Sequence, residues 1–191
     1  MMERMEFPLA IRDMILAGTR DLDSAVQARV LGDEEFRAFY ERTVRPLWAY
    51  LSRMTGDRQK AEDFLQEAYY RFYRAGARHE NETHRRNSLF QIATNLVRDA
   101  ARRGKRYEEV PIVEDEPARA PVVDHEIAVR TDLARAMKQL EPSQRELLWL
   151  AYAQGSSHEE IAEILGLRAI SVRTLLLRAR RKLAALLGDV A

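Results

Sequence analysis

The stretch that decides the fold runs Ser157-His-Glu-Glu-Ile-Ala-Glu-Ile-Leu-Gly166 and continues Leu167-Arg-Ala-Ile-Ser-Val-Arg-Thr-Leu-Leu-Leu-Arg-Ala-Arg-Arg-Lys-Leu183. The first part predicts a short capped helix that ends at the glycine, and the second predicts a longer helix. Apolar residues recur at helical spacing on the side that would face inward: Ile161, Ala162, Leu165, Val172, Leu176, Ala179 and Leu183. Two such helices joined through a glycine are typical of a helix-turn-helix, whose second helix can enter the major groove of DNA. The alternative is a helix pair that packs in this way without binding DNA.

Charge is spread unevenly along the 191 residues, although 31 Lys and Arg against 30 Asp and Glu leave a formal net charge of only +1. Residues 85–106 carry seven basic residues against one acid, and residues 168–182 carry six basic residues and no acid. An acidic stretch, residues 108–126, separates the two blocks. Either block alone could be a solvated face, but two blocks that each end a helical pattern favour a polyanionic partner such as nucleic acid.

The acidic stretch also marks a break in the chain. Pro111, Pro117 and Pro121 fall within eleven residues that lack helical periodicity, which predicts a linker. Helical spacing dominates elsewhere, without alternating strand patterns. The sequence therefore predicts an all-α protein with two small helical domains joined by an acidic, proline-containing linker. The predicted boundaries are an N-terminal extension at 1–21, a first domain at 22–105, the linker at 106–130 and a second domain at 131–187.

Composition disfavours several functional classes. The chain has no cysteine, which excludes disulfides, thiolate metal sites and a cysteine nucleophile. His79 and His84 are five residues apart, a spacing that does not suit two metal ligands on one helical face. Without a nucleophile arrangement or a phosphate loop, we expect no enzyme and no cofactor or metal. The lack of a leader and of an apolar run of about 18 residues predicts a cytoplasmic protein without a membrane span.

The N-terminal extension is predicted to contain a short amphipathic helix over residues 9–17. The first domain is predicted to contain a helix over residues 22–31, a second from Asp33, and a third that Asp57 caps. Pro46 falls inside the pattern from Asp33 and is expected to kink or interrupt it. The helix after Asp57 has an apolar stripe: Ala61, Phe64, Leu65, Ala68, Tyr69 and Phe72.

The other face of that helix is polar and carries Glu62, Asp63, Gln66 and Glu67. The helix dipole favours acids near a helix start and accounts for Glu62 and Asp63. An acidic docking surface for a protein accounts for the whole face. Spacing alone leaves both interpretations open.

The segment between Gly76 and Ser88 predicts a polar loop that suits an unstacked base. A loop gives hydrogen-bond donors access to a base edge, and Asn81, Arg85 and Arg86 are such donors.

The following helix, predicted over residues 89–103, combines an apolar face with a basic one. The polar residues on the remaining surface are Asn95, Arg98, Arg102 and Arg103. A basic face suits phosphate contacts, and Asn can add a hydrogen bond to a base edge.

The second domain is predicted to open with a helix over residues 130–140. Its inward side chains would be Leu133, Ala136, Met137 and Leu140. Ser143 and Glu146 stand at capping-box spacing and predict the start of the next helix.

Together these motifs resemble the extracytoplasmic-function (ECF) class of bacterial RNA polymerase sigma factors. Leu31-Gly-Asp-Glu-Glu-Phe-Arg-Ala-Phe-Tyr40 and Ala61-Glu-Asp-Phe-Leu-Gln-Glu-Ala68 resemble the opening and the core-binding helix of that family. Leu89-Phe-Gln-Ile-Ala-Thr-Asn-Leu-Val-Arg-Asp99 resembles the helix that faces the minus-ten element. Leu140-Glu-Pro-Ser-Gln-Arg-Glu146 and Glu159-Glu-Ile-Ala-Glu-Ile-Leu-Gly166 resemble its fourth region.

The resemblance implies a role for each surface and two macromolecular partners, core RNA polymerase and promoter DNA. Core polymerase, through its β and β′ subunits, would be bound by Asp63, Gln66 and Glu67. Minus-ten DNA would be bound by Asn81, Arg85, Arg86, Asn95, Arg98, Arg102 and Arg103. Minus-thirty-five DNA would be bound by Arg168, Ser171, Arg173, Thr174 and Arg178. The resemblance also implies an anti-sigma factor as a third kind of partner.

The chain departs from the family pattern at three places. Ser88 stands where the family usually has Trp. Leu175 and Leu177 stand where the recognition helix usually carries a basic residue and a histidine, and Leu177 is expected to be exposed. Because fewer polar groups then face the bases, the Leu pair could instead contact a protein. Residues 1–21 exceed the family minimum and are either a frayed leader or a regulatory helix.

The leading hypothesis is a sigma factor that directs core polymerase to particular promoters. One alternative is a sigma-like protein-interaction module with weakened promoter readout. The other is a helix-turn-helix transcription regulator that acts without polymerase, which would leave the acidic helix face and the linker unexplained.

Overall fold

The computed structural model describes residues 33–76, 81–107 and 125–188. These ranges contain helices and no strand, which confirms the all-α prediction. The α-helices are α1 (Asp33–Thr55), α2 (Arg58–Ala75), α3 (Glu82–Tyr107), α4 (His125–Lys138), α5 (Pro142–Leu148), α6 (His158–Leu165) and α7 (Ala169–Gly188). A π-helical turn, Trp149–Ala153, extends α5. The helices predicted at 9–17 and 22–31, and most of the predicted linker, lie outside the described residues.

The chain divides into two compact units, Met1–Val97 and Arg98–Ala191. The division falls within α3, so this helix contributes to both units. None of the helices in the described ranges is long and apolar enough to cross a membrane.

In the first unit, aromatic side chains join α1 to α2. The Phe39 and Phe72 rings stack with centroids 5.1 Å apart, and the Tyr40 and Tyr69 centroids lie 4.8 Å apart. The predicted stripe of α2 is buried, except that Phe64 is only half-buried. Aromatic pairs of this kind add to the free energy gained from burying their area.

Capping and turn residues join the end of α1 to the start of α2, and a proline lies inside α1. Asp57 caps α2, since its Oδ1 accepts a hydrogen bond from the Lys60 N–H at 3.1 Å. That bond to the charged form lowers the pKa of the Asp57 carboxyl. Gly56 joins the two helices at φ +67°, a conformation that favours glycine. α1 continues through Pro46, so of the two predicted effects of this proline, a kink or an interruption, the interruption is wrong.

Two Tyr–Thr hydrogen bonds connect α1, α2 and α3, the helices of the first unit that the structure describes. The Thr43 hydroxyl donates to the Phe39 carbonyl at 2.7 Å, so the Tyr69 hydroxyl must donate to Thr43 Oγ1, also at 2.7 Å. This first bond links α2 to α1. The second bond, between the hydroxyls of Tyr50 and Thr94, links α1 to α3. Both bonds satisfy polar atoms inside the core.

In the second unit, α7 is the helix against which α4, α5 and α6 pack. The predicted inward residues of α6 and α7 are buried, with Leu183 half-buried. Ser157 caps α6 by accepting from the Glu160 N–H at 3.2 Å, and Glu160 Oε2 accepts from the Ser157 N–H at 2.6 Å. Gly166 ends α6 at φ +67°. The predicted helix-turn-helix is therefore confirmed as a fold.

Three details of the second unit differ from the prediction. α4 begins at His125 rather than at Arg130, and Leu133 is 42% exposed rather than inward. The cap of α5 is Glu141, whose N–H donates to Gln144 Oε1 at 3.3 Å, so the predicted Ser143–Glu146 capping box is wrong. Pro142 explains the shift, because proline is favoured at the first position of a helix.

Candidate nucleic-acid interface

The polar face of α2 is a solvent-facing surface that extends over about one turn of the helix. Asp63 and Gln66 are exposed, and Glu67 is half-buried. These residues stand at i, i+3 and i+4, so they share one side of the helix. Gln59 Nε2 donates to Asp63 Oδ1 at 3.3 Å, and Arg71 Nε donates to Glu67 Oε1 at 2.6 Å. Such surface contacts hold the side chains loosely, and the face remains open to a protein partner.

The predicted loop over residues 77–88 is wrong for its second half, because α3 begins at Glu82. Asn81 acts as the cap, since its Oδ1 accepts from the His84 N–H at 2.8 Å. An asparagine before a helix favours this arrangement, and polar residues in the first turn are compatible with it. Residues 77–80 lie outside the described residues.

Arg85 and Arg86 consequently lie on α3 and are half-buried. The Arg85 side chain is 23% exposed, and its Nη1 donates to Glu82 Oε2 at 3.3 Å. Its guanidinium lies 5.9 Å from the Phe39 ring centroid, and that of Arg86 lies 5.2 Å from the Phe90 ring centroid. Both arginines therefore cover core aromatic rings, a use that spacing in the sequence does not reveal.

The later turns of α3 present the remaining residues predicted to face minus-ten DNA. Asn95, Arg102 and Arg103 are exposed, and Arg102 forms an ion pair with Asp99. Asn95 and Arg102 are seven residues apart and share a side of the helix. This stretch of α3 offers one amide and two cations to solvent.

Arg98, the first residue of the second unit, has a different environment. Its Nη2 lies 2.6 Å from Glu146 Oε2, and its Nη1 donates to the Leu165 carbonyl at 3.2 Å. The Glu146 side chain is only 3% exposed. Removing one member of such a pair is strongly destabilising when the charge that remains is buried and has lost its partner. The sequence analysis missed this contact, because the two residues are 48 positions apart and no local spacing rule joins them.

Helix α7 carries the basic block of the second unit. Arg168 precedes the helix, and along it Arg173, Thr174 and Arg178 are exposed while Ser171 is half-buried. Arg180, Arg181 and Lys182 are exposed as well. Residues 168–188 contain no acidic residue. The solvent side of α7 is therefore strongly cationic, as contact with phosphates requires.

The apolar residues on the solvent side of α7 differ partly from the expectation. Leu177 is 42% exposed, as predicted, but Leu175 is half-buried, so the two do not form an exposed pair. Ile170, in the first turn of α7, is 80% exposed and was missed by the sequence analysis. Its position opposite the buried Val172–Leu176–Ala179 stripe was the available signal.

Acidic and histidine side chains do not gather into a metal site in the part of the chain that the structure describes. The chemistry that this part offers is recognition: cations, amides and hydroxyls on α3 and α7, and a polar face on α2.

Comparison with known proteins assigns both units. The model of Sigma-70 region 2 matches residues 39–107, and the model of Sigma-70, region 4 matches residues 128–183. RNA polymerase sigma factor CarQ of Myxococcus xanthus is 31% identical over 159 residues, covering 82% of this chain and 91% of CarQ. ECF RNA polymerase sigma factor SigL of Mycobacterium tuberculosis is 30% identical over 159 residues, covering 81% of this chain and 89% of SigL.

A solved structure has the same fold. CnrH, in complex with the cytosolic domain of CnrY, matches with a TM-score of 0.61 and 26% sequence identity. The match covers 94% of this chain and 99% of the CnrH chain.

Proposed function

The chain belongs to the ECF family of RNA polymerase sigma factors, and we propose how its surfaces divide the work of directing the polymerase to promoters. The first domain, residues 22–105, binds core RNA polymerase and holds the opened minus-ten DNA. The second domain, residues 131–187 together with the first turns of α4, contacts the minus-thirty-five element, and the segment between α3 and α4 links the two domains. The observation that carries the proposal is the cationic solvent side of α7 on a helix-turn-helix.

Core polymerase docks on the polar face of α2. Asp63 and Gln66 are exposed there, and Glu67 stands one turn along. The apolar stripe of α2 is already buried against α1, so this face is free for a partner rather than for the fold. An acidic, hydrogen-bonding face suits a basic protein surface. The β and β′ subunits are the partners that we assign to it.

Minus-ten DNA contacts the end of α3. Arg102 and Arg103 supply exposed cations for phosphates, and Asn95 supplies donors and an acceptor for a base edge. We also assign four residues with internal contacts to the minus-ten DNA: Asn81, Arg85, Arg86 and Arg98. Their side chains already cap α3, cover aromatic rings or pair with Glu146, so each must exchange an internal contact for DNA.

Minus-thirty-five DNA contacts α7, which enters the major groove. Arg168, Arg173 and Arg178 neutralise phosphates or reach guanine edges, and Ser171 and Thr174 offer hydroxyls. Trapping unstacked minus-ten bases opens the duplex, and we assign the chain no covalent catalytic step and no cofactor.

The same partners define where the protein works. Because core polymerase and chromosomal DNA are in the bacterial cytoplasm, we assign the protein to that compartment, and the acidic linker runs through the polymerase. An anti-sigma factor is a further partner. The support for it is that the sigma factor RpoE of Bartonella quintana, which shares this fold, was solved in complex with the anti-sigma factor NepR.

One reconstitution tests the assignment. The full chain is mixed with core polymerase and fragmented genomic DNA, and the transcripts are sequenced. Defined start sites that depend on the chain are expected. Binding to core without initiation would support the protein-interaction module instead, and DNA binding without core would support the stand-alone regulator.

A further inference from the structure

The solvent side of α7 carries a narrow apolar stripe between its cations. Ile170 is 80% exposed and Leu177 is 42% exposed. They are seven residues apart, which is close to two turns, so they lie on the same side of the helix. Thr174, also exposed, stands between them and adds a methyl group. The three side chains form the apolar stripe, which points away from the core.

Ile170, the most exposed side chain of the apolar stripe, contributes little to the packing of the described part of the second unit. The core side of α7 consists of Val172, Leu176 and Ala179, all of them buried. Those residues lie on the opposite side of the helix from Ile170. An isoleucine this exposed in the first turn of a helix adds little to the free energy of folding. Its exposure therefore favours a contact with a partner outside the unit.

The charge around the apolar stripe identifies the kind of surface that it meets. Arg173 and Arg178 flank it, and both are exposed. No acidic residue occurs from residue 168 to residue 188. An apolar protein groove would have to accept these cations without compensation, whereas the major groove of DNA offers phosphates on both sides and thymine methyl groups on its floor.

We propose that Ile170 reads a thymine in the minus-thirty-five element by contact with its 5-methyl group. The inference rests on the proposed function, because it requires α7 to lie in the major groove. The first turn of a recognition helix is the part that reaches base edges. Leu177 lies about 10.5 Å further along α7, from 1.5 Å per residue, and contacts a second methyl about three base-pair steps away. Apolar contact thereby supplies readout at a helix poor in polar side chains.

The test uses the holoenzyme formed from the full chain and core polymerase, on a promoter identified by its start site. Every thymine upstream of the minus-ten element is replaced by uracil, which keeps the hydrogen-bonding groups and removes only the methyl group. Wild-type holoenzyme is expected to bind the uracil duplex about fourfold more weakly for each methyl contacted, from the free energy of burying one methyl-sized group. I170A is expected to lose the fourfold factor of one methyl contact and to keep the discrimination that Leu177 provides, with an unchanged salt dependence.

Three further variants separate the outcomes. I170V retains methyl groups and is expected to keep most of the discrimination. L133A removes a leucine of the same 42% exposure on α4 and is expected to discriminate as the wild type does. R173A is expected to weaken binding to both duplexes alike.

Two results distinguish the inference from the proposed function. Equal binding of the two duplexes by the wild type, or undiminished discrimination by I170A, overturns the role of Ile170 and leaves the sigma-factor assignment standing. Absence of any defined start site overturns the proposed function itself, and the inference with it.

Discussion

The Tyr50 hydroxyl of α1 donates a hydrogen bond of 2.8 Å to Thr94 Oγ1 of α3, because the hydrogen of the Thr94 hydroxyl is already directed at the Phe90 carbonyl. Both side chains are buried. The bond therefore fixes α3, on which we propose the minus-ten surface, against α1, the helix that also packs against α2.

Replacing Thr94 by valine tests this bond. T94V keeps the shape of the side chain but removes the acceptor from a buried hydroxyl, and we expect a loss of about 1–3 kcal/mol in the free energy of unfolding of the first unit. Urea unfolding followed by Trp48 fluorescence in a W149F background reports on that unit, since the chain has only two tryptophans. Y50F is expected to cost less, and the double variant less than the sum. Strictly additive losses would show that the two hydroxyls do not interact.

Alkaline pH is expected to destabilise the first unit through its buried tyrosines. Burial raises the pKa of Tyr40 from 10.0 to about 12, and it also raises the pKa of Tyr69. A raised pKa means that the folded state favours the neutral hydroxyl. The contribution of the neutral Tyr40 hydroxyl to the stability of the folded state is complete below pH 10 and is lost as the pH rises towards 12. Y40F should flatten the decline of unfolding free energy between pH 10 and pH 12, measured by the same fluorescence, and an equally steep decline would contradict the prediction.

The cap of α6 is expected to stabilise the helix-turn-helix. S157A removes the oxygen that accepts from the Glu160 N–H and should cost about 1 kcal/mol. For a domain of roughly 60–100 residues this lowers Tm by about 4–8 °C. The measurement is thermal unfolding followed by Trp149 fluorescence in a W48F background. S143A is the matched control, because Ser143 is exposed in the first turn of α5 and Glu141 provides that cap. Equal losses in the two variants would argue against a capping role for Ser157.

The polar face of α2 is expected to govern affinity for core polymerase. We predict that D63A/Q66A weakens binding by about tenfold, or ~1.4 kcal/mol, in a titration of labelled protein with core polymerase. Both side chains are exposed, so the fold should be unchanged. E41A is the control, since it removes an exposed, ion-paired acid from α1 instead. An affinity equal to that of E41A would move the docking site elsewhere.

The end of α3 is expected to contribute to the salt dependence of open-complex formation. R102A/R103A removes two exposed cations and should reduce the slope of log K against log salt by about 1.4, for two contacts to single-stranded phosphates. R45A, an exposed cation on α1, should leave the slope unchanged. R98A is a poorer probe, because it also leaves the buried Glu146 carboxylate without this cation. A slope unaffected by R102A/R103A would remove these residues from the DNA surface.

Elements marked by local chemistry could be predicted from the sequence. Ser157, Glu160 and Gly166 define the bounds of α6 through bonds that span only a few residues. Asp57 does the same for α2. The buried stripes of α2 and α7 follow from spacing, because a helix repeats its direction every 3.6 residues.

Other features depended on contacts that spacing does not encode. The polar residues after Asn81 suited a loop, yet polar residues are equally compatible with the first turn of a helix, and Asn81 is its cap. Glu146 suited a capping box, but Arg98 holds it as a buried ion-pair partner from 48 residues away. Ile170 was missed because an apolar residue in a helix is usually assumed to face the core.

Every charged residue of α7 is an arginine or a lysine. Arg178 and Lys182 are four residues apart, and like charges at that spacing repel each other along a helix. No acid between residue 168 and residue 188 offsets this repulsion, so it is screened by the ions of added salt. Raising the salt concentration should therefore raise the thermal stability of the second unit while weakening its attachment to DNA. Phosphates bound along α7 would relieve the same repulsion, so that this unit is most resistant to heat when it is seated on a promoter.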